Sequence, residues 1–128
     1  MITIDYQDRS PIYLQIITKI EELVAKGYLA PNDKLPTVRN LAMELSINPN
    51  TIQRAYGELE RKVLIYSVTG KGSFISPATG DLLARKRLEL FGRLKNQIIE
   101  AKTMGISEDE FVAECHKLYA SSEKEAMK

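Results

Sequence analysis

Apolar residues recur at helical spacing in three short segments in the first half of the chain. The stripes are Tyr13, Ile17, Ile20 and Val24, then Val38, Leu41, Ala42 and Leu45, then Ile52, Ala55, Tyr56 and Leu59. In the last two stripes the spacing is i, i+3, i+4, i+7, which is typical of an amphipathic helix with one buried face. We therefore expect three short helices that share one small core.

Residues that begin and end helices border these stripes. Ser10-Pro11 predicts an N-cap followed by proline at the first helical position, and Asn48-Pro49 repeats that pattern before the third stripe. Thr37 is the expected N-cap of the second helix. Gly27 can end the first helix in a left-handed conformation. Ser46-Ile47 forms a tight break between the second and third helices.

Two short β-prone runs follow the third helix. Leu64 to Val68 and Ser73 to Ser76 are separated by Thr69-Gly70-Lys71-Gly72, a flexible and basic turn. Two helices with a tight break and then a hairpin predict an α+β winged helix-turn-helix domain. We place the helix-turn-helix at about 37–62, the wing at about 64–76 and the DNA-binding domain at 1–77.

The remainder, 78–128, is predicted to be a small two-helix dimerisation region. Asp81 is the expected cap of a long helix that ends at Gly105, and Ser107 is the expected cap of the last helix. The apolar side chains of these helices exceed what two helices can bury alone, which would leave an exposed patch. The candidate dimerisation residues are Leu83, Leu88, Phe91, Leu94, Ile98, Phe111, Cys115 and Leu118.

The third helix carries polar side chains opposite its apolar stripe. Asn50 and Arg54 lie on that face and Gln53 lies on its flank. Asn and Gln can hydrogen-bond adenine with two contacts, and Arg can do so with guanine. This face is therefore a candidate for reading bases in a major groove, although on an isolated helix such residues would usually be solvated surface.

Other residues of the domain could contact the DNA backbone or grooves. Arg39 points outward beside the third helix and could bind a phosphate or a base, or form a surface ion pair with Glu44 or Glu60. Lys71 and Gly72 form a narrow basic wing tip that suits a minor groove. The full set of candidate DNA-contacting residues is Thr37, Arg39, Asn48, Asn50, Thr51, Gln53, Arg54, Lys71 and Gly72.

Composition adds little to this prediction and excludes other classes of protein. The 128 residues carry a net charge of only +1, although 34–75 contains six basic and three acidic residues. Cys115 and His116 are the single cysteine and histidine, and their side chains diverge on a helix, so neither an enzyme nor a metal site is expected. We also expect no cofactor and no membrane partner, and the absence of a signal peptide or a transmembrane run favours the cytoplasm.

Three motifs together resemble the GntR family of bacterial transcription regulators. They are Leu35–Ala42, the segment from Ile47 through Thr51, Ala55 and Leu59, and Gly70–Ile75. The match covers about 10–76, and the Pro11-Ile12-Tyr13 start with a short tail is similar to the YtrA-like subfamily. The resemblance implies a homodimer built from the C-terminal helices that binds a palindromic DNA operator and usually represses transcription.

The sequence departs from the family pattern at positions that affect the interface. Pro49 and Gln53 replace arginines that read bases in relatives, so base readout is expected to shift to Asn50, Gln53 and Arg54. Val63 stands where the family often has glycine after the third helix, and because a β-branched residue resists a left-handed cap, we expect a different helix end.

A winged helix used only for protein–protein contact remains the alternative interpretation, because it explains the near-neutral charge equally well. A small-molecule effector of unknown identity is a further candidate partner.

Overall fold

The structure is a computed structural model that describes residues 2–121, so the end of the predicted tail, 122–128, lies outside the described residues. The elements are α1 (Ile12–Ala25), α2 (Val38–Leu45), α3 (Pro49–Arg61), β1 (Ile65–Val68), β2 (Gly72–Ile75), α4 (Thr79–Thr103) and α5 (Glu108–Ala120). This order confirms the predicted α+β winged helix-turn-helix followed by two helices.

One apolar core joins the first three helices to the hairpin. Ile16 and Ile20 from α1, Leu41 from α2, and Ile52 and Leu59 from α3 are almost completely buried. The inward-facing ends of the two strands, Ile65 and Ile75, complete this cluster. All three predicted helical stripes contribute to the core, so the periodicity reported the buried faces correctly.

The wing is an antiparallel hairpin, and the segment before α2 joins it through a single β-bridge. Ile65 pairs with Ile75 and Val68 pairs with Gly72 at the tip. Lys34 forms an isolated bridge with Phe74, and the Leu35 backbone N–H donates to the Ser73 carbonyl at 2.9 Å. The segment that leads into α2 is therefore fixed against the wing, which positions the helix-turn-helix and the hairpin relative to each other within this unit.

Two helix starts differ from the sequence prediction. Pro11, not Ser10, occupies the N-cap position of α1 and provides no side-chain cap. The helix α4 begins at Thr79, so Asp81 lies within its first turn instead of capping it, where its charge still suits the helix dipole. The predicted caps at Thr37, Asn48 and Ser107 are confirmed, since each side chain accepts a backbone N–H of its helix.

The end of α3 contradicts the sequence prediction. Val63 adopts a left-handed conformation with φ of 63°. The Leu64 N–H donates to the Leu59 carbonyl and the Val63 N–H donates to the Glu60 carbonyl, which is the hydrogen-bond pattern of a Schellman motif. Valine prefers negative φ, but the tight connection from α3 into β1 requires a left-handed residue at this position. Gly27 and Gly105 end α1 and α4 with the same geometry, as expected.

The contacts divide the chain into two units after Arg85. This division lies inside α4, because the first turns of α4 belong to the winged-helix unit. Thr79 is buried and donates its hydroxyl to the Ser76 carbonyl, and Leu82 packs against the core. In the second unit, none of the described residues from 86 onward is buried. No helix within the described residues combines the length and the apolar character needed to cross a membrane.

Candidate nucleic-acid interface

The helix α3 presents a continuous polar face to solvent. Its stripe of Ile52, Ala55, Tyr56 and Leu59 is buried, while Asn50, Gln53, Arg54, Gly57 and Arg61 on the other side are exposed. Within residues 2–121, the side chains of Asn50 and Gln53 make no hydrogen bond to protein. Their donors and acceptors are therefore available to an outside partner.

The neighbouring elements hold this helix in a defined orientation. The Tyr56 hydroxyl donates to the Pro36 carbonyl at 2.7 Å, which ties α3 to the segment before α2. Burial raises the pKa of the Tyr56 phenol well above its ordinary value, so the group stays protonated and remains a donor. The Asn48 side chain accepts the Asn50 N–H at 2.8 Å and caps the first turn. These contacts and the buried stripe set the direction in which the polar face points.

Arg54 makes a contact that the sequence did not indicate. Its guanidinium carbon lies 3.8 Å from the ring centroid of Tyr13, which comes from α1. Tyr13 belongs to the apolar stripe of α1, and it is half-buried. One face of its ring lies against the Arg54 guanidinium. A cation–π contact between two helices depends on how they pack, so only the three-dimensional structure could find it.

The other candidate residues of the helix-turn-helix differ in exposure and in whether their polar groups already have protein partners. Arg39 is exposed, and within the part of the chain that the structure describes it forms no ion pair with Glu44 or Glu60. The Thr37 hydroxyl oxygen accepts the Asn40 N–H at 3.0 Å, but the hydroxyl hydrogen remains able to donate. Thr51 is half-buried at the start of α3. The Arg39 guanidinium and the Thr37 hydroxyl are therefore able to donate hydrogen bonds to an outside partner.

The wing tip is narrow, basic and built on glycine. Gly70 and Gly72 have φ of 79° and 115°, values that L side chains rarely adopt, and Lys71 between them is exposed. A Cβ on Gly72 would lie 3.2 Å from the Cε of Lys34, so glycine also allows the Lys34 side chain to lie across the strand. The positive φ values therefore favour glycine at both positions of this tip.

Lys34 was not among the sequence candidates. It lines an open cleft between the wing and the start of α2, together with Thr37 and Lys71, and no acidic side chain lines this cleft. Two lysines beside a hydroxyl form a surface that favours phosphate. The sequence signal was only a lysine before the Leu35-Pro36 pair, because Lys71 on the other side of the cleft is distant in the sequence.

The candidate dimerisation residues fall into two groups. Leu88, Phe91, Leu94, Ile98 and Leu118 are exposed. Leu83, Phe111 and Cys115 are half-buried. This exposed group forms an apolar surface along α4 and α5, and large exposed apolar patches often mark interaction sites.

A capped helix with a free polar face, a preceding helix across a tight turn, and a basic β-hairpin together define a winged helix-turn-helix protein of the DNA-binding class. Residues 12–75 match the family model described as "Bacterial regulatory proteins, gntR family". The chain belongs to this family and is a DNA-binding transcriptional regulator, which confirms the sequence resemblance and the prediction that it is not an enzyme.

Individual relatives agree with this assignment over most of the chain. The chain is 44% identical to the HTH-type transcriptional repressor YtrA of Bacillus subtilis over 107 residues, which cover 83% of this chain and 82% of the relative. A GntR family transcriptional regulator from Listeria monocytogenes has a similar structure, with a TM-score of 0.69, 35% identity, and coverage of 86% of this chain and 96% of that chain. The AraR DNA-binding domain in complex with operator ORE1 is similar with a TM-score of 0.51 and 29% identity, covering 59% of this chain and 93% of that domain.

Proposed function

We propose that this protein represses transcription by binding a pseudo-palindromic DNA operator as a homodimer. The observation that carries the proposal is the polar face of α3, whose Asn50 and Gln53 side chains have no protein partner within the described residues. The relative from Bacillus subtilis is named as a repressor, and the AraR domain with the same fold was crystallised with an operator. Both support DNA as the partner of this face.

The proposed complex places α3 in the major groove. Asn50, Gln53 and Arg54 would contact base edges, because amide and guanidinium groups supply the paired donors and acceptors that distinguish bases there. Arg39, Thr37, Asn48 and Thr51 would contact the flanking phosphates. Lys71 and Gly72 at the wing tip would lie against the adjacent minor groove, where negative potential attracts cations.

The proposed dimer forms through α4 and α5. None of the described residues after Arg85 is buried, although this unit carries Leu88, Phe91 and Ile98 on its surface. A second copy would cover these side chains with the same patch, as a two-fold interface requires. The two copies of α3 would then enter successive major grooves about 34 Å apart, or a multiple of that distance.

Repression would follow from steric occlusion of a promoter in the bacterial cytoplasm. An effector, if one exists, would act by favouring one spacing of the two copies of α3 over another. We propose no cofactor and no membrane partner.

A mobility-shift and footprinting experiment on the DNA upstream of the gene tests this function. We expect the full chain to protect a symmetric site and to keep binding it when unrelated duplex is added in excess. A winged helix used only for protein contact, which the net charge of +1 also fits, would show only weak binding that unrelated duplex removes.

A further inference from the structure

We infer that Tyr13 is a positioning residue for DNA recognition, which orients the guanidinium of Arg54 for contact with a base edge or phosphate. The inference rests on the proposed function and adds a residue from α1, outside the helix-turn-helix. It starts from the 3.8 Å contact between the Arg54 guanidinium carbon and the centre of the Tyr13 ring.

The geometry of the contact leaves Arg54 able to bind. A guanidinium stacked on a ring uses its flat face, whereas its five N–H donors point outward in the plane of the group. Arg54 lies on the exposed side of α3, one residue after Gln53, so these donors are accessible to solvent. The stack therefore holds the group without consuming the hydrogen bonds that DNA would need.

The surroundings explain why Arg54 stacks on Tyr13 and does not pair with an acid. Glu58 lies four residues after Arg54 on the same helix, at the spacing of a favourable ion pair. In the structure Glu58 pairs with Arg61 instead. Arg54 is thus left with the ring as its described contact.

The contact with Tyr13 preorganises the Arg54 side chain for binding. A free arginine side chain loses substantial rotational freedom when it binds, and this loss weakens the complex. Tyr13 restricts Arg54 before DNA arrives, so part of this loss occurs in folding and not in binding. Ordering one long side chain on binding corresponds to about a 2- to 10-fold change in Kd, and preorganisation by the ring recovers about 2- to 5-fold of it.

The test is a double-mutant cycle on the full chain. The probe is a duplex recovered from a random-sequence library by selection with the unaltered protein, and a scrambled version of the same duplex serves as the reference. We expect Tyr13→Leu to raise Kd for the selected duplex about 2- to 5-fold and to leave the scrambled duplex nearly unchanged. Tyr13→Phe keeps the ring and should bind like the parent. In the Arg54→Ala background, Tyr13→Leu should have no further effect.

Tyr28→Leu is the matched control, because this exposed tyrosine also belongs to the winged-helix unit and has no cation–π contact within the described residues. It should leave binding unchanged. A Tyr13→Leu protein that binds as well as or better than the parent would overturn the inference, and so would an equal loss in the Arg54→Ala background. A parent that recovers no duplex at all would overturn the proposed function together with this inference.

A second measurement does not depend on any variant folding. The Hδ and Hε protons of Arg54 lie near the ring, so their NMR resonances should be shifted upfield in the free protein. We expect the shift to persist in the complex with the selected duplex. Resonances at random-coil positions in both states would refute the positioning role, and loss of the shift on binding would show that the ring releases Arg54 instead of orienting it.

Discussion

Truncation of Phe91 provides a quantitative test of the proposed dimer. Phe91 lies on α4 with 60% of its surface exposed. A phenylalanine side chain buries about 150–250 Å² when it is enclosed, so covering Phe91 would remove on the order of 100 Å² of apolar surface per protomer. At about 25 cal/mol per Å², this burial contributes about 2.5 kcal/mol per protomer.

Alanine retains only a small part of this surface. We therefore expect Phe91→Ala to cost about 2 kcal/mol per protomer and about 4 kcal/mol for the symmetric pair, which is a roughly 1000-fold weaker dimer. Sedimentation equilibrium over a concentration series measures this directly. Circular dichroism should show unchanged helix content, because Phe91 is not part of the winged-helix core.

Tyr28→Ala is the matched control, since Tyr28 is an aromatic residue that is 68% exposed but lies in the winged-helix unit. It should leave the dimer constant unchanged. If Phe91→Ala dimerised like the parent, or if Tyr28→Ala weakened the dimer equally, the assignment of the interface to α4 would be refuted. A parent that sediments as a monomer at micromolar concentration would refute the dimer itself.

Three further predictions concern the strained helix end, the buried phenol and the two kinds of DNA contact. Val63→Gly should raise the free energy of unfolding by about 1 kcal/mol in urea titration, because glycine adopts the left-handed conformation without strain; an equal or lower midpoint would contradict the strain argument. Burial raises the pKa of Tyr56, so the stability that its protonated hydroxyl contributes is fully present below about pH 10 and declines above it. Tyr56→Phe should therefore lower the free energy of unfolding by about 1 kcal/mol at neutral pH and make its decline in alkali shallower. An equal loss of unfolding free energy above pH 10 in the parent and in Tyr56→Phe would contradict this argument. Lys71→Ala should weaken binding to all duplexes and reduce the slope of log binding constant against log salt concentration by about 1. Gln53→Ala should leave this slope unchanged and cost about 1–3 kcal/mol of binding free energy on the operator alone. A slope that changes with Gln53→Ala and not with Lys71→Ala would contradict these roles.

The helices and the wing could be predicted from the sequence because local signals agreed with the fold. The apolar spacing identified the buried faces of α1, α2 and α3, and Thr37 and Asn48 marked the starts of α2 and α3 as the structure has them. Glycines at the wing turn predicted the hairpin. At these positions, propensity, capping and burial all favour one structure.

The end of α3 could not be predicted because local and tertiary preferences conflict there. Valine disfavours positive φ, yet the chain must turn sharply from α3 so that Leu64 and Ile65 reach the core. Burial of these two side chains outweighs the strain at Val63. The local cost at Val63 follows from the sequence, whereas the burial of Leu64 and Ile65 depends on the folded chain.

The candidate interface was predictable only along a single helix. The polar face of α3 follows from the helical period, and the structure leaves Asn50 and Gln53 exposed on it. The contact of Arg54 with Tyr13 and the position of Lys34 beside the wing join segments that are distant in sequence. Such contacts depend on packing between elements, which a one-dimensional pattern does not contain.

In the proposed complex, two copies of the polar face of α3 read the major groove of one operator. Dimethyl sulfate protection tests it most directly, because the reagent methylates guanine N7 in that groove. We expect two symmetric protected patches whose centres are about 34 Å apart or a multiple of it. Both should be lost when Asn50, Gln53 and Arg54 are changed to alanine together. Guanines that remain fully reactive in the bound complex, or protection that survives the triple substitution, would contradict it.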